Sequence, residues 1–311
     1  MTQPNSVAMH ADQSLRQQLV AAVLRSVTRL MAARTFRAGL PIDEHRRRVL
    51  QVTRLTLPPR RATFSGASCG GVPGEWVRIP GHEQAALTIL YLHGGGYVAG
   101  SPVTHRAVTG HLAARCRARV FAADYRLAPE YPFPAAVDDA LAAYRGLLAE
   151  GVAPGDIVIA GDSAGGGLTA AAALRLRELA LPLPRALVLF SPWTDLSLEQ
   201  LAPEAREIML AVPWLKEGAR AYVAHGDARH PLVSPVMADL RGLPPTLVQV
   251  GTDEILLNDS RRLFHRLQGC GVVARLEEYP RRWHVFHVHA GLLADADRAI
   301  DGVARFIAAT H

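Results

Sequence analysis

The stretch Ile157-Val158-Ile159-Ala160-Gly161-Asp162-Ser163-Ala164-Gly165 decides the fold. Its four apolar residues read as a buried strand, and the alanine- and leucine-rich continuation to about residue 179 reads as a helix. Between them stands Gly-x-Ser-x-Gly. A strand–turn–helix of this kind lifts a serine hydroxyl to the apex of a strained bend above the sheet. Glycine is needed on either side, because side chains there would collide with the neighbouring strand and helix. Ser163 is therefore the candidate nucleophile.

About seventy residues upstream, His93-Gly94-Gly95-Gly96 closes a second apolar run, 86–92. A glycine loop ahead of the elbow can offer bare backbone N–H groups to an oxyanion beside the serine. Each motif alone is weak, but matched strand contexts turn the pair into an acyl-transfer site. Further strands are expected at 75–79, 119–123, 186–190, 246–250 and 274–278, alternating with helices at 105–116, 135–150, 164–179, 258–269 and 292–309. Near-continuous apolar strands alternating with helices predict an α/β fold with a mostly parallel sheet covered on both faces. Two helical pieces, 13–34 and 41–52, precede it. The helix-like segment 196–229 interrupts the alternation, so a helical cap is expected from about 1–52 plus 196–229 on one domain spanning 1–311. Leu15, Leu19, Trp214 and Tyr222 are among the residues expected to close over the site.

The chain has 311 residues and a formal charge of +6. Of its 34 basic residues, 33 are arginine, Lys216 being the exception. The arginines are scattered and form no basic stripe with interleaved aromatics, which argues against nucleic acid. Three cysteines without metal spacing suggest inert thiols in a reducing, cytoplasmic setting. The first eighteen residues lack the apolar stretch of a signal peptide, and no run is long enough to span a membrane.

A serine nucleophile needs a base, itself oriented by a third group. His284, in the loop after the last strand and before the last helix, is the base candidate, ahead of His287 and His289, which are otherwise expected at the surface. The acid should follow the strand 246–250, where Asp253 and Glu254 compete. One should hold the histidine; the other is expected to be a solvated turn residue or a helix cap.

From about residue 74 to 309 the chain resembles the bacterial hormone-sensitive-lipase-like esterases of the α/β-hydrolase fold. Besides the two glycine signatures it carries Asp124-Tyr125-Arg126-Leu127-Ala128-Pro129-Glu130, Pro132-Phe133-Pro134-Ala135-Ala136, Ser191-Pro192-Trp193-Thr194-Asp195 and Leu243-Pro244-Pro245. The resemblance implies a helical cap, hydrolysis of short acyl esters, and no cofactor or metal. Counted from Leu243-Pro244-Pro245, its register puts the catalytic acid at Glu254, although most members have aspartate followed by proline where this chain has Glu254-Ile255. The expected triad is Ser163, His284 and Glu254, with an oxyanion hole from Gly95, Gly96 and Ala164 and Gly94 as an alternative donor. His93 is expected to brace the loop, and Asp162, Arg126 and Glu130 to hold local architecture. The expected partner is a small-molecule ester, with a homodimer as the assembly. A specific deacetylase or lactone hydrolase, or an amidase, would use the same residues. A receptor on this fold would lack the histidine.

Overall fold

Apolar runs of five or six residues can bury both their faces only in a sheet covered by helices on each side. The computed structural model describes residues 6–9, 14–53, 56–202 and 206–310. In chain order its elements are β1 (Ser6–Ala8), α1 (Leu15–Thr35), α2 (Ile42–Thr53), β2 (Thr63–Cys69), β3 (Val72–Arg78), β4 (Thr88–Leu92), α3 (Arg106–Cys116), β5 (Arg119–Ala123) and α4 (Ala135–Ala149). There follow β6 (Ile157–Asp162), α5 (Ala164–Glu178), β7 (Ala186–Phe190), α6 (Val212–Val223), β8 (Thr246–Gly251), α7 (Leu257–Gly269), β9 (Ala274–Tyr279) and α8 (Ala294–Ala309).

The strands form one sheet in the order β1-β9-β8-β7-β6-β4-β5-β3-β2. Pairing is parallel from β1 to β5 and antiparallel at β5–β3 and β3–β2. Parallel neighbours need helical crossovers, which deposit helices on both faces. Alternate residues of β4 therefore serve two cores. Leu90 and Leu92 pack with residues of α4, α5 and α7, whereas Ile89 and Tyr91 pack with residues of α3 and α8.

The seven expected strands are present, and two more appear. β2 escapes the sequence reading because Thr63–Cys69 is an edge strand with an almost wholly unburied face, lacking apolar alternation. It joins β3 through Gly70-Gly71, both at positive φ, a two-residue hairpin turn suited to glycine. β1 is only three residues long and pairs with β9. Of the expected cap, residues 1–5, 10–13 and 203–205 lie outside the described residues. In the remainder, Phe36 and His45 meet the Trp214 ring edge-to-face at 5.0 and 5.4 Å, joining the ends of α1 and α2 to α6. No helix among the described residues is long and apolar enough to cross a membrane.

Candidate active site

Ser163 sits between β6 and α5 with φ 53° and ψ −122°, a conformation a β-carbon makes costly, by about 1–3 kcal/mol. The bend persists because its surroundings fix it. The Ser163 N–H donates to the Phe190 carbonyl (2.9 Å), and the Ser163 carbonyl accepts from the N–H of Trp193 (2.9 Å). A β-carbon on Gly161 or Gly165 would run into the backbone of β4 and of the elbow itself. Among the described residues Oγ of Ser163 makes no hydrogen bond, so it holds no structural post.

The glycine loop leaves the end of β4 next door. Asp162 secures it: Oδ1 accepts from the Gly94 N–H (3.0 Å) and the Tyr91 hydroxyl (2.6 Å), and Oδ2 lies 3.3 Å from His105 Nε2. Burial would raise the Asp162 carboxyl, but His105 and Tyr91 outweigh it and hold the pKa at about 2. Gly94 is thus already engaged, which removes it as an alternative oxyanion donor. The N–H groups of Gly95 and Gly96 have no acceptor among the described residues. That of Ala164 opens a helix and so has no intrahelical partner. Gly96, at φ 65°, also lies so close beneath Trp214 that a β-carbon would come within 2.7 Å of its ring. His93 braces the loop, stacked on Tyr125 at 4.3 Å with Nδ1 bonded to the Gly94 carbonyl at 2.9 Å.

The loops after β8 and β9 bring Glu254 and His284 together, with Glu254 Oε1 3.1 Å from His284 Nδ1. Both are buried. Oε2 accepts from the Ser191 hydroxyl (2.7 Å) and the Gly251 N–H (3.0 Å), and Ser191 Oγ accepts from the Val285 N–H (3.1 Å). Burial would lower the His284 pKa, but the hydrogen bond and charge of Glu254 raise it above 6.5. Asp253 is neither solvated nor a cap: it is buried and pairs with Arg25 of α1 at 2.9 Å, tying that helix to the loop. His287 and His289 also depart from their expected surface positions. His287 is fully buried against Phe190, and His289 lines the cavity below. Arg126 pairs with Asp139 and Glu130 with Arg46, each at 2.7 Å, as local anchors.

Ser191 and His105 are the polar partners that the sequence did not single out. Ser191 heads a quoted stretch, Ser191-Pro192-Trp193-Thr194-Asp195, that pointed to the family but assigned it no contact. His105 carried no pattern at all, because its partner Asp162 lies far away in sequence.

Gly95, Ser163 and His284 open on a cavity of about 240 Å³, walled chiefly by apolar side chains. Leu24, Val27 and Met31 of α1 and Trp214 of α6 contribute to that wall. Leu15 and Leu19, by contrast, are 84% and 67% exposed and do not close over the site. Tyr222 stacks on Tyr97 at 3.7 Å in the core.

Residues 89–288 match the family described as alpha/beta hydrolase fold. An acetyl-hydrolase of Streptomyces hygroscopicus is 46% identical over 241 residues, covering 76% of this chain and 80% of that protein. An esterase of Acinetobacter venetianus is 39% identical over 243 residues, covering 76% and 78%. A solved esterase of the bacterial hormone-sensitive lipase family superposes with a TM-score of 0.87 at 38% identity, covering 96% of this chain and 99% of that one. With its elbow, glycine loop and carboxylate–histidine pair on such a sheet, the chain belongs to the bacterial hormone-sensitive-lipase family of α/β-hydrolase-fold esterases.

Proposed function

We propose that this esterase cleaves short-chain acyl esters through a covalent acyl-enzyme on Ser163. With Nδ1–H engaged by Glu254, His284 presents Nε2 as the base. Ser163 Oγ attacks the acyl carbon as its proton passes to Nε2, and Glu254 stabilises the imidazolium. The carbonyl oxygen, now an oxyanion, takes hydrogen bonds from the N–H groups of Gly95, Gly96 and Ala164. Losing one such donor typically lowers turnover ~10²–10³-fold. Collapse expels the alcohol, which takes the proton from His284. Water, activated by the same histidine, then releases the acid and frees Ser163.

The observation that carries this proposal is the buried Glu254–His284 pair beside the cavity onto which the strained Ser163 opens. A receptor would need neither the pair nor the strain. Helices α1, α2 and α6 would form the cap, limiting the acyl group to roughly two to six carbons before added methylenes meet packed side chains. The likeness to an acetyl-hydrolase favours acetyl as the preferred group within that range. The three cysteines are unpaired, in keeping with a cytoplasmic setting. A panel of esters from acetyl to dodecanoyl tests the assignment, run on the wild type and Ser163→Ala. Hydrolysis confined to the shorter esters and absent from the variant is expected. Full activity in the variant would overturn the mechanism.

A further inference from the structure

Helix α1 is apolar on two faces. Its inner face supplies Leu24, Val27 and Met31 to the cavity. Its outer face carries Leu15, Leu19, Val23, Val27 and Leu30, all exposed. These five make up nearly half of the eleven large apolar side chains exposed among the described residues, and the other six are spread over the rest of the chain. Scattered singly such residues need no explanation, but a contiguous row does.

The charges beside the row indicate what covers it. The helix has four arginines and no acidic residue. Arg25 is committed to Asp253. By the 3.6-residue period, Arg16 and Arg34 lie along one edge of the row and Arg29 along the other. Among the described residues none of these three has an ion pair. A second copy docking the same face two-fold would set arginines against arginines with no acid on the helix to offset them. An anionic lipid surface meets both requirements, taking the apolar row into its acyl boundary and the flanking arginines among its headgroups.

We propose that α1 docks the enzyme on anionic lipid surfaces, so that its substrates are short acyl esters of lipophilic alcohols held there. This rests on the esterase reading above. Val27, 41% exposed, belongs to both the outer row and the cavity wall, so one turn of helix connects the docking face to the site. Docking would place the cavity beside the phase where such esters concentrate.

Vesicle flotation with the full chain tests this, using phosphatidylcholine alone and phosphatidylcholine mixed with phosphatidylglycerol. The wild type should bind the mixed vesicles on the order of tenfold or more tightly than the neutral ones, and less tightly as salt rises. Leu15→Gln/Leu19→Gln/Leu30→Gln should lose vesicle binding, and Arg16→Gln/Arg29→Gln/Arg34→Gln should lose the anionic preference. Both should hydrolyse a water-soluble acetyl ester at the wild-type rate, which also reports that they fold. Ser163→Ala should float like the wild type, so failure of the esterase mechanism and failure of docking give different results. Wild-type protein that ignores both vesicles overturns the proposal. So does a solution dimer that the leucine variant abolishes, since the row would then be a self-association face.

Discussion

Glu254 divides its oxygens between two tasks, Oε1 toward His284 and Oε2 toward Ser191 and Gly251. Removing its charge should therefore affect both rate and titration. Glu254→Gln is expected to lower kcat on the order of 10²–10⁴-fold. The sign of the pH effect follows from the raised His284 pKa. Activity needs the neutral imidazole, so it rises as pH passes that pKa, and without the carboxylate the pKa falls and the acid limb moves to lower pH. Kinetics across pH would check both effects. An unmoved limb with full activity would reassign the acid. Asp253→Asn should leave kcat within a few-fold of wild type. Because Arg25 is about a third exposed, the lost pair should cost only about 1 kcal/mol, read as a Tm lower by roughly 2–4 °C. Ser191→Ala should lower kcat roughly tenfold by removing one of the two donors to Glu254 Oε2 and stranding the Val285 N–H, with a much smaller change in KM. An unchanged kcat would reduce Ser191 to packing.

Helix α6 acts through Trp214, which lies against Gly96 and meets Phe36 and His45 edge-to-face. Trp214→Ala would cost about 3–5 kcal/mol if the space did not collapse. It should also enlarge the cavity, so the best acyl chain should lengthen; an unchanged chain-length profile would place the acyl pocket elsewhere. Legibility differed from element to element for physical reasons. β6 and α5 could be read to within a residue or two because an apolar run, a glycine turn and an alanine-rich helix all agree. β2 could not, since an edge strand with little buried surface has no apolar alternation to display. The orientation of α1 was hidden for the opposite reason: apolar residues at Leu15, Leu19, Leu24 and Met31 occupy both faces, and periodicity alone cannot say which turns inward. At the site, the placing of Ser163 and His284 at one cavity could be expected from turn and loop position, whereas Glu254 rather than Asp253 as the partner of His284 needed the family register. The Asp162–His105 contact joins residues that no spacing rule connects.

Over the whole molecule, the sheet gathers at the carboxyl ends of β4, β6, β7, β8 and β9 five short loops that are distant in sequence. One carries Gly95 and Gly96, one Ser163, one Ser191, one Glu254 and one His284. Residues of α1, α2 and α6 line a cavity of about 240 Å³, below the roughly 300–1,000 Å³ common for sites that enclose larger ligands. kcat/KM is accordingly expected to peak at short acyl chains and to fall toward dodecanoyl, and a steady rise across the series would refute a small acyl pocket. We infer that Ser163, at the focus of these loops, is the nucleophile. Treating the protein with a fluorophosphonate and locating the adduct by peptide mass spectrometry tests it most directly. A single adduct on Ser163 is expected, formed together with loss of esterase activity and absent from Ser163→Ala. An adduct on another serine, with activity surviving in Ser163→Ala, would contradict it.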